Sequence, residues 1–161
     1  MVIKMKNNLS VIGIGKLGLC FALTLERAGY NVMGVDLSPE YVSIVNNKAL
    51  KSSEENVENF LLQNKNFIAT TSLNDALEHS NVLFVVVATP SLDSGRYDHS
   101  QIDSLVENIK KFGKQEDEKH LVICCTPMPE YCDTVQAVLK NYNYVVSYNP
   151  EFIAQGSILK N

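Results

Sequence analysis

The sequence predicts an α/β fold, a doubly wound and mostly parallel six-stranded sheet with helices on both faces. Short runs rich in β-branched residues alternate with segments of helical periodicity, which is the pattern of parallel βαβ units. The run at residues 82–88 is almost entirely apolar, as expected of a central strand covered on both faces. The length of 161 residues fits one domain with its own core.

Six strands are predicted, at residues 9–13, 31–36, 67–70, 82–88, 121–125 and 144–147. Between the first two, residues 17–28 are apolar on nearly every side, which predicts a buried helix. Ser38 before Pro39 predicts an N-cap and a first helical residue. Residues 102–112 carry an apolar stripe at helical spacing, and residues 135–139 indicate a last helix.

Two further helix starts are predicted from capping patterns. Ser52 with Glu55 forms a capping-box pattern before an apolar run, and Ser72 with Asp75 opens a short helix. Residues 114–119 are predicted to form a solvated, charged loop.

Composition excludes several function classes. The net charge of −4 argues against a nucleic-acid surface, which is basic. No apolar run is long enough to span a bilayer, and Lys16 interrupts the apolar start with no cleavage site after it, so we expect a cytoplasmic protein without a membrane partner. None of the four cysteines forms a C-x-x-C pair and no metal site is expected. The three histidines, His79, His99 and His120, are expected to be exposed, with no partner residues that would suggest a functional site.

Gly13, Gly15 and Gly18 form the pattern G-x-G-x-x-G. A lone match is weak, but here a predicted strand precedes it, a helix follows, and Asp36 ends the next strand. The first glycine permits a tight turn, the second lets a pyrophosphate approach the backbone, and the third lets helix and strand pack closely. The helix N-terminus offers free N–H groups to the phosphates. The sequence therefore predicts a Rossmann-type dinucleotide-binding domain.

Asp36 favours NAD over NADP. A carboxylate there accepts hydrogen bonds from the ribose hydroxyls and repels a 2′-phosphate, and no arginine follows it. FAD stays possible on this motif alone. Ile14, Lys16 and Leu17 complete the predicted cofactor loop, where Lys16 either contacts a phosphate or faces solvent.

Three later segments fall at the carboxyl ends of predicted strands, where ligands bind in such sheets. They are Val-Val-Val-Ala-Thr-Pro at 85–90, Cys-Thr-Pro-Met-Pro at 125–129, and Asn-Pro-Glu-Phe-Ile-Ala-Gln-Gly at 149–156. With the glycine loop, they resemble the N-terminal NAD-binding domain of the UDP-glucose/GDP-mannose dehydrogenase family, over essentially the whole chain. The Pro-Glu-Phe segment, with a glycine five positions after its glutamate, is the most specific part.

The resemblance implies an enzyme that oxidises the C6 alcohol of a nucleotide sugar to a carboxylate with two NAD per turn. It implies that Thr89 and Thr126 line the nicotinamide ribose and a reactive water, with Thr126 and Glu151 as catalytic residues. It also implies that Glu151, Phe152 and Ile153 contact the sugar. From the residues alone, Glu151 could equally be a helix N-terminal charge.

Pro90 and Gln155 complete the implied cofactor contacts, although Gln155 replaces the second glutamate of the family. Lys16 and Leu17 also depart from the family's usual Tyr-Val. The catalytic cysteine, lysine and asparagine of the family, its central dimer helix and its nucleotide-sugar domain lie in later segments that this chain does not contain.

We therefore expect residues 1–161 to form the NAD-binding domain of a nucleotide-sugar 6-dehydrogenase, inactive alone, either as a piece of the enzyme or as a shortened natural relative. Its nucleotide-sugar partner would bind through the missing domain. Two alternatives stay open. One is a stand-alone, non-catalytic NAD-binding module, and the other is the N-terminal domain of a β-hydroxyacid or 6-phosphogluconate-type dehydrogenase.

Overall fold

The structure, a computed structural model, describes residues 7–151, 156 and 158–160. In this part of the chain the strands are β1 (Asn8–Ile12), β2 (Asn31–Val35), β3 (Phe67–Thr70), β4 (Val82–Val85), β5 (Lys119–Ile123) and β6 (Tyr144–Tyr148). The helices are α1 (Lys16–Arg27), α2 (Pro39–Asn46), α3 (Val57–Gln63), α4 (Leu73–His79), α5 (Ser100–Phe112) and α6 (Tyr131–Leu139). Short 3₁₀ turns lie at Lys140–Tyr142 and Ile158–Lys160.

The strands form one sheet in the order β3-β2-β1-β4-β5-β6, and every strand pair is parallel. This is the Rossmann strand order, with its topological switch between β1 and β4. The predicted fold class is confirmed.

Two apolar cores cover the two faces of the sheet. Because side chains alternate along a strand, Val11 packs into the core that holds α1, α2 and α3, whereas Ile12 packs into the core that holds α4, α5 and α6. Both residues are nearly fully buried. The double cover accounts for the apolar sequence of the central strands.

Two helix caps form as predicted. Ser38 Oγ accepts a hydrogen bond from Tyr41 N at 3.2 Å, and Ser72 Oγ accepts one from Asp75 N at 3.2 Å. The prediction of a capping box at Ser52 was wrong. The Ser52 hydroxyl accepts from Glu54 N at 3.1 Å, and α3 begins only at Val57.

The predicted loop at 114–119 was also wrong at its last residue. Lys119 begins β5 and is buried. Its Nζ donates hydrogen bonds to the carbonyl oxygens of Leu77 and Ser80, the latter at 2.9 Å. These carbonyls compensate the burial of the ammonium group. The predicted β4 was too long, since the strand ends at Val85 and the chain then turns into the crevice described below.

No helix among the described residues is long and apolar enough to cross a membrane.

Candidate functional site

The glycine loop joins β1 to α1 in a conformation that two of its glycines require. Gly13 has φ +91°, and a Cβ on it would lie 2.6 Å from the carbonyl oxygen of Val86. A Cβ on Gly18 would lie 1.8 Å from the carbonyl oxygen of Gly13. Any side chain at either position would therefore displace backbone, as predicted for the tight turn and the close packing of helix on strand.

Gly15 differs from these two, because nothing in the protein requires a glycine there. Its φ is −60°, it is exposed, and no atom lies within 4 Å of where its Cβ would be. It is the N-cap of α1, and no side chain caps the helix. Free N–H groups in the first turn, with open space in front of them, suit an anionic ligand.

Tyr41 supports the loop from α2. Its hydroxyl donates a hydrogen bond of 2.8 Å to the carbonyl oxygen of Ile14. The Ile14 side chain is fully buried in the core, so only its backbone is available to a cofactor. Burial is the main cause that raises the pKa of Tyr41 to about 12, with the charge of Asp36 adding to it, so the hydroxyl keeps the proton that it donates.

Asp36 lines three cavities that together form a crevice along the carboxyl edge of the sheet. The α5 cavity, about 350 Å³, lies between Asp36 and α5. The α2 cavity, about 440 Å³, lies between Gly15 and Tyr41. The loop cavity, about 470 Å³, runs from the glycine loop to Cys124 and Cys125. The crevice is long enough to pass from the end of β2 to the end of β5.

The Asp36 carboxylate is half-buried, and its Oδ1 accepts a hydrogen bond from Ser38 N at 3.0 Å. This contact leaves acceptor capacity on the other oxygen. Lys16 is exposed at the start of α1 and lines both the α2 and the loop cavities. Its predicted place beside the loop is therefore open to either a ligand or solvent.

Glu151 lies where β5 ends. Its backbone N–H donates to the carbonyl oxygen of Cys124 at 3.4 Å, and its Oε1 accepts from the Asn149 side-chain amide at 2.9 Å. Cys124 is part of the loop cavity wall, so the glutamate sits beside the far end of the crevice.

Thr89 and Pro90 follow β4, and Thr126 follows β5. Thr89 is half-buried, whereas Pro90 and Thr126 are exposed. Phe152, Ile153 and Gln155 lie outside the described residues.

The α5 cavity has a polar wall that was not predicted from the sequence, consisting of Ser100, Gln101, Ser104 and Asn108. A signal was present, because Ser100, Ser104 and Asn108 are spaced at i, i+4 and i+8 beside the apolar stripe of the same helix.

Glu54 was also missed. It is buried, and its carboxylate accepts the backbone N–H groups of Gly156 at 2.6 Å and Ile158 at 3.2 Å. The loop before α3 thereby contacts the backbone at Gly156 and Ile158. No local pattern could have revealed a contact across about a hundred residues.

Burial raises the pKa of the four thiols. Burial is the largest cause of the raised pKa at each of them. The pKa is about 11 at Cys20 and Cys125 and about 12 at Cys124, and it is raised at Cys132 as well. None of these cysteines is therefore an activated thiolate near neutral pH. Within the described residues no group of three or more His, Cys, Asp or Glu side chains could hold a metal ion.

Comparisons with known proteins agree with this geometry. Residues 7–161 match the UDP-glucose/GDP-mannose dehydrogenase family, NAD binding domain. The chain is 37% identical to the uncharacterized protein MJ1054 of Methanocaldococcus jannaschii, over 92% of this chain and 17% of that protein. It is 30% identical to UDP-glucose 6-dehydrogenase of Rickettsia felis, over 95% of this chain and 35% of that enzyme.

Among solved structures, a ternary complex of GDP-mannose dehydrogenase from Pseudomonas aeruginosa superposes with a TM-score of 0.86 and 25% identity, over 94% of this chain and 38% of that one. The chain thus spans about a third of the length of the characterised dehydrogenases that it matches. The family match decides against the β-hydroxyacid alternative. The chain belongs to the UDP-glucose/GDP-mannose dehydrogenase family and corresponds to its NAD-binding domain.

Proposed function

We propose that the carboxyl-edge crevice holds NAD as the cofactor domain of a nucleotide-sugar 6-dehydrogenase that acts on UDP-glucose or GDP-mannose. The observation that carries the proposal is the open space at Gly15 beside the free N-terminus of α1. A pyrophosphate group fits both the space and the positive end of the helix dipole.

The rest of the cofactor follows from the crevice. Asp36 would accept the ribose hydroxyls, and the α5 cavity would take the adenine between Leu37 and the polar wall of α5. The nicotinamide half would extend through the loop cavity toward Thr89, Pro90 and Thr126. Gln155 remains a proposed contact from the family resemblance.

Asp36 also supports the choice of NAD over NADP. A 2′-phosphate would bring negative charge against this carboxylate, and the next residues, Leu37 and Ser38, offer no cation. Lys51, in the α2 cavity, is paired with Glu58 at 2.9 Å. Lys16 also lines cavities with Asp36, but it lies at the glycine loop, the end of the crevice that would take the pyrophosphate. The repulsion at the ribose therefore has no dedicated cation to offset it.

When bound, NAD supplies the hydride acceptor for the C6 alcohol. The residues of this chain would orient the cofactor and manage the proton. Glu151 would accept a proton near the end of β5, Thr126 would help to order a water, and the backbone of Phe152 and Ile153 would contact the sugar.

The direct test is calorimetric titration of the chain with NAD and NADP. We expect NAD to bind more tightly. Equal or tighter binding of NADP would contradict the role of Asp36. If neither dinucleotide binds, the proposed function is contradicted.

A further inference from the structure

His99, at the residue before α5, contacts the loop that follows β5. Its Nε2 accepts a hydrogen bond from Met128 N at 3.0 Å, and its ring lies 3.9 Å from the ring of Tyr131, centroid to centroid, at an angle of 35°. His99 was expected to be exposed, with no partner residues that would suggest a site, and this was wrong, because it is half-buried and contacts Met128 and Tyr131. A nitrogen that accepts a hydrogen bond carries no proton, so this contact assigns His99 the tautomer with its proton on Nδ1.

The Met128 N–H is a particular donor within this loop. Pro127 and Pro129 flank it, and proline has no N–H group. Met128 is therefore the one residue of the 127–129 stretch whose backbone can donate, and His99 accepts that hydrogen bond.

A second contact joins the same two elements. The Tyr131 hydroxyl donates to Oδ1 of Asp103 at 2.5 Å. Asp103 lies one turn after His99, and its N–H donates to the His99 carbonyl oxygen at 2.9 Å. One turn of α5 thus contacts both Met128 and Tyr131, just beyond Thr126.

Helix α5 also forms the polar wall of the α5 cavity through Ser100, Gln101 and Ser104. The same first turns of α5 therefore line the crevice through these residues and contact the loop after Thr126 through His99 and Asp103. Thr126 itself is exposed, so its position depends on what holds the residues after it.

We infer that His99 is a positioning residue, which fixes residues 126–130 so that Thr126 faces the nicotinamide half of the bound cofactor. The inference rests on the proposed function, because it needs the cofactor to occupy the crevice. The inference predicts different effects on the two halves of the ligand. Loss of His99 weakens the contacts with the nicotinamide half and leaves those of the ADP half with the glycine loop and Asp36 unchanged.

The test compares NADH with ADP-ribose, which lacks the nicotinamide, on the wild-type chain and on His99→Ala, His99→Gln and His120→Ala. His120→Ala is the control, because this exposed histidine lies at the opposite edge of the sheet, beside Glu118. We expect His99→Ala to weaken NADH binding about three- to tenfold, the range for one lost hydrogen bond, with ADP-ribose affinity unchanged. His99→Gln, which carries an acceptor oxygen, should restore most of the NADH affinity.

Several results would overturn the inference. Equal losses for NADH and ADP-ribose in His99→Ala would indicate a general structural role, and no loss for either would indicate no role. Equal binding of NADH and ADP-ribose by the wild-type chain would also overturn the inference, because the nicotinamide half would then make no net contribution to binding. A wild-type chain that binds neither would instead contradict the proposed function itself.

A measurement on the wild-type chain covers the case in which His99→Ala does not fold. Nitrogen-15 NMR should show His99 as the Nδ1–H tautomer, and hydrogen exchange at the Met128 amide should be slower than in an unstructured peptide. The Nε2–H tautomer or free exchange at Met128 would contradict the contact on which the inference depends.

Discussion

The Tyr41 hydroxyl donates a hydrogen bond of 2.8 Å to the carbonyl oxygen of Ile14, so helix α2 holds the peptide that enters the second glycine of the loop. Because a peptide unit is planar, fixing the Ile14 carbonyl also fixes the direction of the Gly15 N–H. The Gly15 N–H, which we propose faces the pyrophosphate, is thereby oriented before any ligand binds.

Tyr41→Phe tests this relationship. The variant keeps the ring in the α2 cavity wall and removes the hydrogen bond, so we expect NAD to bind about three- to tenfold more weakly. Tyr30→Phe is the matched control, because Tyr30 precedes β2 at the opposite edge of the sheet. Calorimetry gives both affinities, and equal affinity in Tyr41→Phe and wild type would show that the loop does not depend on α2.

Asp36→Ala should narrow the preference for NAD over NADP about tenfold or more, since it removes both the ribose acceptor and the charge that repels a 2′-phosphate. Asp133→Ala changes the net charge equally at an exposed position on α6 and should leave the preference intact. An unchanged ratio of NADP to NAD dissociation constants in Asp36→Ala would assign the selectivity to another residue.

The purified chain should bind NAD without oxidising UDP-glucose or GDP-mannose. Oxidation beyond the aldehyde by a covalent route needs an activated thiolate, and burial keeps the pKa of Cys124 at about 12 and of Cys125 at about 11. Losing a correctly positioned sugar can forfeit about 7–11 kcal/mol of rate advantage. NADH absorbance measures turnover, and steady production that follows the protein through repurification would contradict this expectation.

Local patterns predicted most of the framework. Alternation and apolar runs located all six strands, because burial on one or both faces is written directly into consecutive residues. The glycine loop and Asp36 were predicted for the same reason, since their spacing reflects one continuous βαβ unit. Where predicted and observed strand ends differ, they differ by one to three residues. The hydrogen-bond ladder between two strands ends where the partner strand ends, and the partner is distant in sequence.

The misses have one physical cause. Lys119 is charged and was expected in solvent, yet carbonyl oxygens about forty residues away accept its hydrogens. Ser52 and Glu55 have capping-box spacing, but the neighbouring Glu54 is buried and accepts hydrogen bonds from the backbone N–H groups of Gly156 and Ile158. His99 likewise depends on Met128. Polar groups whose partners are distant in sequence cannot be placed from local pattern.

Tyr144→Phe should stabilise the fold. The Tyr144 hydroxyl is buried and, among the described residues, has no hydrogen-bond partner, which costs about 1–3 kcal/mol relative to an apolar group. Burial also raises the pKa of Tyr144 to about 12. At roughly 2–4 °C per kcal/mol, we expect the melting temperature to rise by about 2–12 °C, with little change in Tyr148→Phe, an exposed tyrosine of the same strand. A fall in the Tyr144→Phe melting temperature would reveal a partner for the hydroxyl.

The most direct test of the account is NAD titration of Gly15→Val. The backbone at Gly15 accepts a side chain without strain and no atom lies within 4 Å of the new Cβ, so the variant should fold at a cost of at most about 1 kcal/mol for a poorer N-cap. The valine would occupy the place of the pyrophosphate, so NAD binding should fall below detection. Gly18→Val marks the contrasting case, because its Cβ would meet the Gly13 carbonyl and the fold itself should fail. Wild-type NAD affinity in a folded Gly15→Val chain would contradict the claim that the cofactor lies on this loop.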